Sequence, residues 1–214
     1  EIVARIKEEY LTREDKIHLA YEVALKERDL LEKVEQSGSC DIYIGMPFCP
    51  SRCIYCSFAS NVAKGNRYKN QYLFLLKQEI KMIKDFITEE KLTINNVYFG
   101  GGTPTAVSNE EFYEVMSDIH KHFIKHQNIL EFTVEAGRVD SLNEEKLRCM
   151  KEFEVSRISI NPQTMNDKTL KIIGRSHDAN EVKEIFYLAR DLGFDNINMD
   201  LILGLPGENL PEVR

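Results

Sequence analysis

Three features of this sequence predict an α/β fold whose centre is a parallel sheet. Short, almost wholly apolar segments such as NNVYFG, LEFTVE and NINMDLIL alternate with longer stretches of helical periodicity. Strands that are apolar on both faces belong to a sheet covered by helices on both sides. The alternation repeats five times in 214 residues, which predicts a barrel of the TIM kind or a shortened form of it. Polar or glycine-rich stretches follow every strand, at the end of a parallel barrel where sites are built.

Taken in order, residues 2–35 are helical in pattern: a short stretch, then a second helix capped by Thr12-x-x-Asp15 and running to about Glu35. Ile17, Leu19, Ala20, Val23, Ala24, Leu30, Leu31 and Val34 would form its apolar face, with no chemistry of their own. Residues 36–39 break the helix before strand one at 41–47. This divides the chain into an N-terminal helical segment or linker, 1–40, and a barrel, 41–214. After a cysteine-rich loop, residues 67–87 form an amphipathic helix with Tyr68, Tyr72, Leu75, Leu76, Ile80, Ile83 and Ile87 on one side. Strand two at 95–99 runs into Gly100-Gly-Gly-Thr-Pro104, and Ser108-x-x-Glu111 caps a helix to about Lys125. Strand three at 130–135 ends in Glu135-Ala-Gly-Arg138, and Ser141-x-x-Glu144 starts the next helix. Strand four at 157–161 leads to Pro162-Gln163. Helices at 167–173 and 181–192 then precede strand five at 196–203. A sheet ending there would leave NMDLILGL as an apolar edge. With no initial Met and a last stretch, NLPEVR, where a helix should begin, the sequence reads as an internal fragment whose next strand lies beyond it.

Composition narrows the class. No apolar run approaches the ~20 residues of a membrane span, and the acidic start is no signal peptide, so a cytoplasmic protein without a membrane span is expected. A net charge of -7 argues against a nucleic-acid partner. Five cysteines, three of them clustered, fit metal binding in a reducing compartment better than a disulfide framework.

The cluster is CPSRCIYC, placing Cys49, Cys53 and Cys56 on one short loop. Structural zinc takes four protein ligands, and neither a His nor a fourth Cys follows nearby. Cys40 precedes strand one, which at about 3.3 Å per residue carries it roughly 20 Å away. Cys40 and Cys149 read as core or inert thiols. Three thiolates suit a 4Fe-4S cubane with one iron left without a protein ligand, where a small molecule can bind and react.

The stretch YIGMPFCPSRCIYC resembles the signature of the radical S-adenosylmethionine (SAM) superfamily. Within it, Tyr43, Pro47-Phe48 before the first Cys, GGGTP, EAGR, RISINPQTMN and INMDLILGLPGE are similar to oxygen-independent coproporphyrinogen III oxidase (coproporphyrinogen dehydrogenase), and most closely to its HemZ type. The resemblance runs from about Asp41 to Gly207. It implies a partial TIM-like (β/α)6 radical SAM barrel, of which about five βα units are present with N-terminal helices. It also implies a 4Fe-4S cluster on Cys49, Cys53 and Cys56, SAM on the open iron, an electron donor, and a porphyrinogen substrate in haem biosynthesis. In that superfamily one electron from the cluster cleaves SAM to methionine and a 5'-deoxyadenosyl radical.

Several residues read as candidates in their own right and by resemblance. Gly100, Gly101 and Gly102 form either a tight turn or a backbone surface that a ligand can approach closely. Glu135 closes an otherwise apolar strand, where its charge needs a partner. Arg138 would serve, while the resemblance puts Glu135 on the SAM ribose or amine. Asp200, inside NMDLIL, is similarly costly to bury and by resemblance reaches the adenosine. The resemblance adds Gln163, and Arg175 as a carboxylate partner with paired donors; a surface salt bridge is the alternative for Arg175. Tyr43 is either core or, by resemblance, close to the cluster and SAM. His120, His122 and His126 read as solvated, and His177 could face the site. Arg52, Lys64, Arg67 and Arg138 could form a basic rim for an anionic substrate, or solvated surface charge. Two positions depart from the family pattern. Phe58 stands where the best-known oxidases carry a further Cys, which keeps open a haem-binding or haem-delivery protein without decarboxylase activity, and the Pro expected after Arg138 is missing.

Overall fold

The structure, a computed structural model, describes residues 2–32, 34, 38–58 and 61–209. The chain divides into two compact units, Glu1–Ser39 and Cys40–Arg214. In the first, α1 spans Ile2–Tyr10 and α2 spans Glu14–Leu31. The expected cap at Thr12 does not form: the N-cap is Arg13, and the Thr12 hydroxyl turns back to the Tyr10 carbonyl. Of the expected apolar face Ile17 is buried, whereas Leu19, Val23, Leu30 and Leu31 are exposed. The expected helix end at Glu35 lies outside the described residues, as does the helix start expected near the last residues.

The second unit carries β1 (Ser39–Met46), β2 (Phe48–Cys49), β3 (Asn61–Val62), α3 (Lys69–Glu89), β4 (Thr93–Gly101), α4 (Asn109–Ile119), β5 (Glu131–Val134), α5 (Glu144–Glu152), β6 (Arg157–Ser159), α6 (Asp167–Ile172), α7 (Ala179–Asp191) and β7 (Asn196–Asn198). Five strands form one sheet in the order β1-β4-β5-β6-β7, with β4–β5, β5–β6 and β6–β7 parallel. Sheet order equals chain order, and a helical connection separates each neighbouring pair. This is the partial TIM-like α/β barrel that the alternation predicts. Val97, Phe99, Phe132, Val134 and Ile158 from the strands pack with Phe112, Met116, Leu147 and Met150 from α4 and α5 in one buried cluster.

Local signals set most boundaries, and tertiary partners correct the rest. Ser108 and Glu111 form the expected capping box, and α4 continues past Ile119 through a π turn at His120–Ile124. Asn143, not Ser141, caps α5, because Ser141 closes a 3-10 turn at Val139–Ser141 and its hydroxyl donates to the Arg138 carbonyl. On α3 the buried face holds Leu73, Leu76, Ile80 and Ile87, and Leu75 and Ile83 point outward. The fifth strand keeps its ladder only over Asn196–Asn198, with one further bridge between Gln163 and Leu201, so Met199, Leu201 and Leu203 are exposed.

Lys146 on α5 locks the site-bearing loops together. It is 6% exposed, and its Nζ donates to the carbonyls of Thr105 (2.7 Å), Val107 (2.9 Å) and Ser141 (2.9 Å). Burial lowers its pKa, yet all three N–H groups of the ammonium form have an acceptor. Lys146→Met strands three buried carbonyls, and unsatisfied acceptors are expensive. Urea denaturation should show a loss of about 3 kcal/mol; a loss below about 1 kcal/mol would mean that water replaces the ammonium.

Candidate metal and cofactor site

The cysteine loop leaves β1 at the C-terminal edge of the sheet, and backbone pairing fixes both of its arms. Cys49 ends β2, which pairs parallel with β3: Asn61 N donates to Pro47 O (2.8 Å) and Ala63 N to Cys49 O (2.9 Å). Cys56 N donates to Cys53 O (3.2 Å), turning the loop over Ile54 and Tyr55. Opposite, Ile54 N donates to Ile173 O (3.2 Å) at the end of α6. Cys49 and Cys53 are buried, Cys56 is half-buried, and all five cysteines are free thiols. Cys40 lies near the start of β1, with the strand between it and the loop. Burial pushes the Cys149 thiol up to about 12, so it is inert at neutral pH.

Two of the three sulfurs already meet hydrogen-bond donors. Thr103 Oγ1 lies 3.3 Å from Cys49 Sγ and 2.8 Å from Gly102 O, so one proton is divided between two acceptors, and Arg138 Nη1 donates to Cys53 Sγ at 3.1 Å. Such donors suit sulfur carrying negative charge, as metal-bound thiolates do. Among the described residues no three His, Cys, Asp or Glu side chains stand close enough together to hold a single ion. A cubane takes one thiolate at each of separate iron corners, so its ligands are spaced more widely than those of one ion. Three free thiols on one loop match the protein-ligand count of a cubane with an open iron, one short of the four that structural zinc takes.

The glycine run lies directly on the backbone that leads into the cysteine loop. Gly102 N donates to Met46 O (2.6 Å) and Thr103 N to Phe48 O (2.8 Å). A Cβ on Gly102 would sit 2.7 Å from Phe48 O and 2.9 Å from Met46 O, and Gly101 has φ +102°. A Cβ on Gly100 would sit 2.6 Å from Glu135 Oε2. Glu135 follows β5 and accepts from Tyr98 Oη (2.6 Å) and Gly101 N (3.0 Å). Its expected partner, Arg138, is engaged elsewhere, with Asp140 (2.6 Å). Tyr43 is 65% exposed, which removes it from the core, and stacks on Tyr98 at 5.8 Å between ring centroids. A cavity of about 610 Å³ runs along this surface, bordered by Tyr43, Pro47, Phe58, Gly101, Gly102 and Glu135.

Across the loop, Arg175 is 7% exposed; Nε and Nη2 donate to Tyr55 Oη (3.2 and 2.7 Å) and Nη1 to Gly137 O (3.3 Å). The surface salt bridge is thus excluded, and its guanidinium forms no ion pair among the described residues. Gln163 is buried in the left-handed region at φ +68°, its N donating to Asp200 O and its O accepting from Ile202 N. Strain of this kind concentrates where a side chain must be aimed. Asp200 contradicts the expected burial: it is exposed at the sheet edge, and its carboxylate accepts from Asn198 Nδ2 (2.8 Å). His177 is buried near Arg175 and Asp140, with neither ring nitrogen partnered among the described residues; burial and then Arg175 push its pKa down.

The cysteine loop, the glycine run, Glu135, Gln163 and Asp200 follow or close β1, β4, β5, β6 and β7 in turn, all at the same edge of the sheet. Arg52, Lys64 and Arg67 are exposed, but Arg138 is buried and is no part of a basic rim. Sequence reasoning missed Thr103, Tyr55 and Tyr98, and it missed Asp140 as the partner of Arg138. The Arg-x-Asp spacing was the available signal for the last.

Gly102→Ala forces a methyl group against two backbone carbonyls that cannot step aside. It should lower unfolding stability by about 1–3 kcal/mol. Gly45→Ala, whose Cβ would meet only Tyr43 Cε1 at 3.6 Å, should be tolerated. Equal melting temperatures for the two variants would contradict this packing.

The radical SAM superfamily model matches residues 43–214. The chain is 41% identical, over 99% of its length and 42% of the relative's, to the oxygen-independent coproporphyrinogen-III oxidase-like protein HemZ of Bacillus subtilis (strain 168). It is 38% identical to the heme chaperone HemW of the same organism, over 80% of this chain and 44% of that one. The chain thus spans less than half the length of these relatives. Among solved structures, coproporphyrinogen III oxidase (HemN) from Escherichia coli, a radical SAM enzyme, shares the fold at a TM-score of 0.71 and 24% identity, over 82% of this chain and 39% of that one. No helix among the described residues is long and apolar enough to cross a membrane. With the cysteine loop, the glycine run and the partial barrel in place, the chain belongs to the radical SAM superfamily and, within it, to the family of HemZ, HemW and oxygen-independent coproporphyrinogen III oxidase.

Proposed function

We propose that Cys49, Cys53 and Cys56 hold a 4Fe-4S cluster with SAM beside it, in a cytoplasmic enzyme that decarboxylates coproporphyrinogen III to protoporphyrinogen IX without oxygen. The observation that carries this reading is the pair of buried sulfurs, one met by the Arg138 guanidinium and the other beside the Thr103 hydroxyl, on a loop whose approach borders a cavity of about 610 Å³. When bound, cluster and SAM supply one-electron cleavage of the sulfonium, given an electron donor.

The chain's own residues bind and orient. Tyr98 and Gly101 N hold the Glu135 carboxylate at the cavity wall, where it would take the amine or ribose of SAM. Arg175 presents paired donors, resting on Tyr55 Oη, that a carboxylate would take over. Gln163 and Asp200 would add polar contacts at the ends of β6 and β7. The stacked rings of Tyr43 and Tyr98 give the cavity an aromatic side that helps exclude water. Exposed Arg52, Lys64 and Arg67 would receive the substrate's propionates in an otherwise acidic chain.

One observation favours a second reading, a haem-binding or haem-delivery protein. Phe58, 69% exposed at the cavity, puts an apolar ring where a further Cys stands in the best-known oxidases.

Anaerobic incubation of the full-length protein with SAM, a reductant and coproporphyrinogen III separates the two. The expected result is CO2 and protoporphyrinogen IX; tight haem binding with SAM cleavage and no CO2 would move the assignment to the haem carrier.

A further inference from the structure

Arg138 is a fully committed buried cation. It is 4% exposed, and its five N–H groups meet five acceptors: Nε with Asp140 Oδ1 (2.8 Å), Nη2 with Asp140 Oδ2 (2.6 Å) and Ser51 Oγ (2.8 Å), and Nη1 with Ser51 O (3.2 Å) and Cys53 Sγ (3.1 Å). No donor remains for a substrate, so the charge acts on the cysteine loop. Two of these contacts fix Ser51, two residues before Cys53, and a third falls on the Cys53 sulfur. Asp140, 13% exposed at its side chain, pairs bidentately with the Nε–Nη2 edge of the fork and fixes its plane. Among the described residues Cys53 takes a hydrogen bond from the cation, whereas Cys49 lies beside the neutral Thr103 hydroxyl and feels Arg138 through space alone.

We propose that Arg138 is a positioning residue of the metal centre: it holds Cys53 in place and, by donating to its sulfur, makes the cluster easier to reduce. This rests on the reading that Cys49, Cys53 and Cys56 carry the cluster. A donor to a ligating sulfur withdraws electron density and stabilises the form with the extra electron, and hydrogen bonds to sulfur are among the terms that set cluster potentials. Asp140 neutralises the charge on the far side of the fork, which lets the cation stay buried without leaving the sulfur.

The test is a redox titration of the anaerobically reconstituted full-length protein, followed by electron paramagnetic resonance without substrate. Two variants are compared with wild type: Arg138→Met with Asp140→Leu, which removes both charges and strands neither, and Arg138→Gln, which removes the cation alone. With iron loading unchanged, the reduced-to-oxidised ratio at the wild-type midpoint should fall at least tenfold, a shift of about 59 mV to more negative potential for one electron. Iron loss with an unchanged apoprotein melting temperature also supports the positioning role. A wild-type potential in the double variant overturns the proposal; should that variant not fold, the same result in Arg138→Gln overturns it. Iron loss with collapsed thermal unfolding in both variants also overturns it, and leaves a purely structural ion pair. Wild-type protein that takes up no iron and sulfide would instead sink the cluster reading on which the proposal rests.

Discussion

The close approach of the Gly100–Gly102 backbone to residues 46–48 is the constraint on which the rest of the site depends. Gly102 N and Thr103 N bond to the carbonyls of Met46 and Phe48, and no room is left for a side chain on Gly102. From this seam Thr103 reaches Cys49, Gly101 N reaches Glu135, and the cavity acquires a floor of bare peptide. The run thus works in two directions at once. One side locks the cysteine loop to the sheet, and the other stays open to a ligand.

Around this seam lie buried cations, each of them hydrogen-bonded. Arg138 is closed by Asp140 and the cysteine loop, Lys146 by three carbonyls, and Arg175 by Tyr55 and Gly137. Burial alone would raise the Asp140 carboxyl, but the bidentate Arg138 pair outweighs it and holds it below the usual carboxylate range. Its contribution to stability is complete above the unfolded carboxylate pKa and is lost as pH falls through the lower, folded value. Acid therefore loosens the backing of Cys53 only well below neutrality. Replacing isolated ion pairs by apolar residues often costs little, which makes the direction of Arg138 and Arg175, toward the cysteine loop, more informative than the number of charges.

Features carried by neighbouring residues were legible in the sequence. The glycine run at the end of a strand, the Ser108–Glu111 box and the alternation of strands and helices are local, and the structure keeps each of them. Apart from the Thr12 cap, lost to the Tyr10 carbonyl two residues away, what misled depends on residues distant in sequence. Asp200 looked costly to bury inside NMDLIL, but the ladder on that strand ends at Asn198, and the carboxylate sits at an exposed edge. Arg138 reads as a solvated cation or a partner of Glu135 until Ser51 and Cys53 are brought against it from 85 or more residues away. Ser141 and Asn143 are both good capping residues, and only the tertiary turn at Val139–Ser141 decides between them.

In the proposed centre, three thiolates on one loop hold a cubane with one iron open to SAM. Iron, sulfide and zinc analysis after anaerobic reconstitution, joined to Mössbauer spectra with and without SAM, tests it most directly. The expected result is about four irons and four sulfides per chain, with one iron site whose spectrum changes when SAM is added. One zinc per chain, without sulfide or the visible charge-transfer absorption of a cluster, would contradict it.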